Sequence, residues 1–178
     1  ADGPKDRTLE VLKEAFRLVE VDLVFRRALP TRPIRALYRS LVHPNLLVVD
    51  KENGGKADAL NAGLNLARYP LFCAVDADSL LDAQALLRAS RLFLEDERVL
   101  AVGGTIRPLN GAVVREGVVE ALRLPQGFLE KMQIIEYARA FFMGRAGWSA
   151  MGALLIISGA FGLFRREEVL RVGGYRTD

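Results

Sequence analysis

The sequence predicts an α/β fold, a sheet with helices on its faces, on two observations. Two strand-length apolar runs are each followed by a turn and a helix-period segment. Apolar residues make up 51% of the 178 and charged residues 26%, which is the balance of a chain that folds, unlike a disordered or collagen-like one. The length fits a single domain, residues 1–178. A net charge of +3, spread along the chain, is too small to predict a nucleic-acid partner. Cys73 is the lone cysteine and His43 the lone histidine, so an internal disulfide, a cysteine-based zinc site and a histidine-rich metal site are all excluded.

Taken in order, Ala1-Asp2-Gly3-Pro4 reads as a turn that should follow a strand, so an upstream strand is expected to be missing. Residues 6–17 read as a helix opened by Asp6 or Thr8. Its apolar residues Leu9, Leu12 and Phe16 lie among charges at helical spacing, which is not the compact apolar block of a signal peptide. Cytosolic exposure follows as the simplest expectation. Val21 to Phe25 reads as a strand, and Arg26 to Pro44, with Pro30, Pro33, Pro44 and five arginines, is expected to break any long element.

Leu46 to Val49 is then a buried strand, Gly54-Gly55 a turn, and Lys56 to Arg68 a helix with Leu60, Leu64 and Ala67 on one side. The unit repeats as strand Leu71–Val75, turn Asp76–Leu81 and helix Asp82–Glu95, with Leu86, Leu87, Phe93 and Leu94 expected inward. Val99 to Val102 gives another strand, and Arg107 to Gly127, with Asn110-Gly111 a turn and no sustained period, a loop or short hairpin. Residues 129–145 regain helical character, either as an amphipathic helix on a membrane surface or packed against protein. Ala146 to Phe164 carries no charge and is long enough for a membrane span, but its glycines and short apolar block Ala153–Ile157 favour a buried strand, and Leu154 to Arg165 reads as the last strand. Glu167 to Val172 is a short helix ended by Gly173-Gly174.

Loops at the carboxyl ends of the strands should hold the site. The sharpest feature is Asp76-Ala77-Asp78 at the end of a buried strand, where two carboxylates at i and i+2 project to one side of an extended chain. Their repulsion is relieved by a hard divalent ion, and Mg²⁺ in particular takes one or two carboxylates plus substrate phosphates; an ordinary aspartate-rich turn is the alternative. Asn53-Gly54-Gly55-Lys56 opens a helix directly after a strand, placing backbone N–H groups and a lysine where an anion could dock. It is not a P-loop, since Lys56 is followed by Ala57. His43 reads as a surface loop residue, and Trp148 as a packing, interface or sugar-stacking residue.

These stretches together resemble family-two glycosyltransferases of the GT-A fold, in particular the membrane-bound processive type related to cellulose, chitin, hyaluronan and poly-N-acetylglucosamine synthases. Asp2-Gly3 looks like the family's Asp-Gly-Ser segment, Asn53–Leu64 like its Gly-Lys-Ala-x-Ala-Leu-Asn-x-Gly-Leu segment, and Asp76-Ala77-Asp78 like its DxD. Ser158–Arg166 followed by Gly173-Gly174-Tyr175 is similar to the strand and helix near the acceptor side. The resemblance implies a GT-A-like, Rossmann-like mixed sheet with helices on both faces, incomplete at both ends. It implies inverting, metal-assisted transfer from a nucleotide sugar, with UDP as the expected nucleotide, to a growing polysaccharide or other glycan. In that reading Asp2 contacts the base or ribose, Lys56 the diphosphate region, and Asp76 and Asp78 the diphosphate and its Mg²⁺ or Mn²⁺, while the acceptor approaches Ser158 and Gly159.

Against the family pattern, Pro4 stands where a serine is usual, and the Glu-Asp pair that supplies the general base is expected beyond Asp178. The Gln-x-x-Arg-Trp segment of processive enzymes, the first nucleotide-binding strand and membrane helices are absent from these residues. The resemblance therefore predicts a soluble fragment with little transfer activity alone, from a parent held at the cytosolic face of a membrane. An exposed sheet edge, left by the missing strand, makes a homodimer a further expectation. The competing reading is a non-catalytic nucleotide-binding or membrane-surface interaction domain.

Overall fold

The computed structural model describes residues 1–154 and 156–177. The chain forms two compact units, Ala1–Phe72 with Arg165–Asp178, and Cys73–Phe164.

In the first unit, helix α1 (Thr8–Phe16) starts where Asp6 Oδ1 accepts the Thr8 N–H at 3.0 Å and stops at Arg17, whose φ of 46° turns the chain left-handed. Strands β1 (Leu18–Glu20), β2 (Ile34–Ser40) and β3 (Leu47–Lys51) pair antiparallel in the order β1-β2-β3, with Glu20 and Val48 both opposite Tyr38. Asp2 pairs in parallel with Lys51 of β3, so the pairing is mixed, as the fold expectation requires. Helix α2 (Gly55–Leu66) follows β3 directly. Leu29, Leu37, Tyr38, Val48, Ala62, Leu64 and Phe72 are the buried apolar residues of this unit, with Leu64 fully enclosed.

Two expectations are corrected here. Val21–Phe25 is not a strand: pairing runs earlier, at Leu18–Glu20, and the Val21 N–H makes a last bond to the Leu37 carbonyl at 2.8 Å. The chain then leaves the sheet, and the Ala28 and Leu29 N–H groups donate to Asn65 Oδ1 at 3.0 and 2.9 Å. The stretch Arg26–Pro44 does contain a seven-residue strand, β2, because its prolines flank the strand at positions 33 and 44 and leave its ladder N–H groups intact. Along β2, Arg35 and Arg39 stay exposed while Leu37, Tyr38 and Ser40 are buried.

Strand β4 (Leu71–Val75) starts in the first unit and ends in the second, matching the predicted span. Helix α3 (Ala85–Glu95) and strand β5 (Ala101–Gly103) follow, then the hairpin β6 (Ala112–Arg115) and β7 (Val118–Leu122). Helix α4 (Phe128–Ala138) runs on through a π-helical segment, Arg139–Arg145, into α5 (Ala146–Ala150). Strand β8 (Phe161–Arg165) lies between β4 and β5 and is antiparallel to β5, with Ala101 opposite Phe164. Helix α6 (Arg166–Arg171) returns to the first unit.

Three further expectations change. α3 begins at Ala85 and not Asp82, whose carboxylate accepts the Gln84 N–H at 2.9 Å in a turn before the helix. Its buried residues are Ala89 and Phe93, one turn apart, whereas Leu86, Leu87 and Leu94 are exposed. Of the two alternatives for Arg107–Gly127 the hairpin is present, turning at Glu116-Gly117, both at positive φ as a tight two-residue turn demands, and Asn110-Gly111 is the expected turn, at its open end, where the Gly111 carbonyl accepts the Arg123 N–H at 3.2 Å. The strand expected from Leu154 begins only at Phe161; Leu155 lies outside the described residues, and the rest of 153–160 carries no strand. Among the described residues no helix is long and apolar enough to cross a membrane.

Candidate active site

In the first unit the site is built on the junction of β3 and α2. β3 ends in Asp50-Lys51, and Lys51, 2% exposed, is charged and enclosed. Its ammonium donates to Asp2 Oδ1 at 2.6 Å and to the Glu52 carbonyl at 2.6 Å, and it meets Asp58 Oδ1 from the other side. Asp58 in turn accepts the Arg32 N–H on Oδ2 at 2.9 Å. Burial works against charge on Lys51, but the two carboxylates outweigh it and hold its pKa above the ordinary lysine value. Burial likewise opposes the charge on Asp2, yet the hydrogen bonds from Lys51, Gly54 and Gly55 keep its pKa below the usual carboxylate value.

Asp2 also caps α2. Oδ1 accepts the Gly54 N–H at 3.0 Å, Oδ2 accepts the Gly55 N–H at 2.8 Å, and the Asp2 carbonyl accepts Asn53 Nδ2 at 2.9 Å. The glycine at position 54 follows from the packing, because a Cβ there would lie 2.6 Å from the Asp58 carboxyl carbon. The N–H groups of Gly54 and Gly55 already hold an anion, the chain's own Asp2 carboxylate, which a phosphate would have to displace. Lys56, exposed on the first turn of α2, stands beside this arrangement. Lys51 and Asp58 escape a motif search, although a lysine closing the apolar run Leu46–Val49 is a signal: burial there demands a carboxylate partner.

In the second unit β4 ends at Val75, so Asp76 and Asp78 lie in the turn after it and the extended-chain alternation expected of them does not apply. Asp76 is half-buried and Asp78 exposed. The Asp76 N–H donates to the Ala160 carbonyl at 3.3 Å, and the Asp76 carbonyl accepts the Ser79 N–H at 3.1 Å. The first of these bonds ties the aspartate turn to the loop of Ser158 and Gly159, where Ser158 Oγ accepts the Ala160 N–H at 3.4 Å. Among the described residues no three His, Cys, Asp or Glu side chains gather as a metal cage. Two accessible carboxylates without a cage fit a hard cation that keeps waters and completes its shell from substrate phosphate. His43 is exposed in a loop and Trp148 is exposed on α5.

The architecture is that of an α/β enzyme domain whose polar residues collect in the turns that follow its strands. Residues 1–167 match the glycosyl transferase family 2 profile, and the chain belongs to that family of glycosyltransferases. It is 32% identical over 143 residues to a poly-beta-1,6-N-acetyl-D-glucosamine synthase of Staphylococcus aureus (strain COL), a match covering 80% of this chain and 31% of that protein. The synthase of the same name from Staphylococcus epidermidis is 34% identical over 131 residues, covering 73% of this chain and 28% of the relative. The chain thus spans about three-tenths of the length of these relatives.

Proposed function

We propose that this chain is the donor-binding part of an inverting glycosyltransferase that moves a sugar from a nucleotide donor, UDP-linked, to a growing polysaccharide. The single observation that carries the reading is the Asp76-Ala77-Asp78 turn at the end of β4, joined through Asp76 and Ala160 to the Ser158-Gly159 loop. Asp76 and Asp78 hold the diphosphate and its cation, Lys56 faces the diphosphate region, Asp2 contacts the nucleoside, and the acceptor enters beside Ser158 and Gly159. Asp2 suits its part: ionised and already hydrogen-bonded on both oxygens, it takes an N–H or O–H from base or ribose and repels phosphate.

In the reaction an acceptor hydroxyl oxygen bonds to the anomeric carbon as the bond from that carbon to the nucleoside diphosphate breaks, and a base takes the hydroxyl proton. Mg²⁺ or Mn²⁺ at Asp76 and Asp78 would supply neutralisation of the charge growing on the leaving diphosphate.

Calorimetric titration of UDP with and without Mn²⁺ tests this, comparing the chain with its Asp76→Asn, Asp78→Asn variant. Metal-dependent binding that the double substitution abolishes is expected. Equal, metal-independent heats from both proteins overturn the reading.

One observation favours a membrane surface as a further contact in the parent protein. Phe128, Leu129, Met132 and Ile135 of α4, with Met143 and Trp148 beyond it, are exposed apolar side chains on one continuous helical stretch. Co-sedimentation with anionic liposomes that survives Asp76→Asn and Asp78→Asn but fails for Phe128→Ser, Leu129→Ser is the expected result.

A further inference from the structure

We propose that Lys51 is a positioning residue for nucleoside recognition, acting through Asp2; the inference rests on the reading of Asp2 as the nucleoside contact. The Lys51 ammonium has three N–H donors, and three acceptors surround it: Asp2 Oδ1, the Glu52 carbonyl and Asp58 Oδ1. With its side chain 2% exposed and its ammonium enclosed by two hydrogen bonds and the Asp58 ion pair, Lys51 is not placed to touch a ligand. Asp2 is different. A carboxylate offers about four lone-pair positions. On Asp2, Oδ1 serves Lys51 and the Gly54 N–H while Oδ2 serves the Gly55 N–H, which leaves an acceptor position on Oδ2 of a side chain 21% exposed.

Lys51 therefore decides which oxygen of Asp2 faces outward. Asp58, anchored to the Arg32 N–H, fixes the ammonium from behind, so the order Asp58–Lys51–Asp2 is a rigid series of charges ending at the ligand-facing atom. Such a series aids the nucleoside half of a donor, which offers N–H and O–H groups, and contributes nothing to the diphosphate half, which offers only acceptors. This asymmetry separates a positioning role from general support of the fold.

The test measures affinity for two probes, UDP and inorganic pyrophosphate, each with Mg²⁺, on the 178-residue chain and its variants. Lys51→Met is expected to weaken UDP about tenfold or more, the loss of a charge-assisted hydrogen bond's worth of order, while pyrophosphate binding stays unchanged. Lys51→Arg should restore part of the UDP affinity. In the double variant Lys51→Met, Asp2→Asn the UDP loss should equal that of Asp2→Asn alone, since Lys51 acts only through Asp2. Should Lys51→Met fail to fold with Asp58 left unpaired, Lys51→Met, Asp58→Asn removes both buried charges and is expected to show the same loss for UDP alone. Wild-type UDP affinity in the Lys51 variants together with a weakened Asp2→Asn overturns the proposal, and so do equal losses for both probes. Wild-type UDP affinity in Asp2→Asn instead overturns the reading beneath it.

Discussion

Asn61 in α2 exchanges two hydrogen bonds with the backbone of Tyr175, 114 residues further on: Nδ2 donates to the Tyr175 carbonyl at 2.9 Å, and Oδ1 accepts the Tyr175 N–H at 2.8 Å. One buried amide thereby serves as both ends of a missing β-ladder rung and fixes the segment after α6 against the helix that follows the site. Only an amide does this, because a carboxylate lacks the donor and an alkyl group lacks both. Asn61→Ala removes both hydrogen bonds and should cost about 2 kcal/mol, read from the urea midpoint. Asn61→Asp should cost at least as much at neutral pH, since it adds a buried charge to the lost donor.

Gly174 occupies the same junction. Its φ is 77°, and a Cβ there would meet Asn61 Oδ1 at 2.5 Å and Leu29 Cδ1 at 2.6 Å. Gly174→Ala should therefore combine a left-handed backbone cost of about 1–2 kcal/mol with a steric one of similar size. Gly173→Ala, at φ 90° but with open space around it, should show only the first. Comparing the thermal midpoints of the two variants checks the difference.

Leu64 is fully enclosed in α2. Leu64→Ala should destabilise the chain by about 2–5 kcal/mol, with the higher values if the cavity fails to collapse. Leu94→Ala on α3, where the side chain is 87% exposed, should change the midpoint little.

Stability should depend on pH at both ends through the Lys51 network. The folded-state pKa of Asp2 is lowered, so its contribution is complete above the ordinary carboxylate value and disappears as pH falls through the lower folded value. That of Lys51 is raised, so its contribution is complete below the ordinary lysine value and disappears as pH rises through the higher folded one. Urea midpoints across pH should accordingly show the acid limb reduced in Asp2→Asn and the alkaline limb reduced in Lys51→Met.

The parts legible in the sequence are those where one pattern dominates. β3, α2 and β4 follow from uninterrupted apolar runs and a clean helical period, and the turn residues 54–56 and 76–78 follow from their positions after strands. β2 escaped because its prolines and arginines suggest breakage, and because burying both Leu37 and Tyr38 between exposed Arg35 and Arg39 leaves no clean period of two to read. α3 misled in another way: it carries more leucines than its single buried stripe, Ala89 and Phe93, can use. Of the candidate site, Lys56, Asp76 and Asp78 stand out by their place after apolar runs and Asp2 only through the family resemblance, while the bond between Asp2 and Lys51 spans 49 positions, and no local pattern contains it. Asp2's occupation of the helix start was hidden for the same reason.

That occupation makes α2 a reporter. The carboxylate that would receive a nucleoside is also the one that keeps the first turn of the helix from fraying, so ligand and helix compete for, or jointly immobilise, the same two oxygens. Amide deuterium uptake at Gly54 and Gly55 should slow when donor immobilises Asp2 and quicken when donor pulls it away, and either change gives occupancy a readout that needs no chemistry to occur.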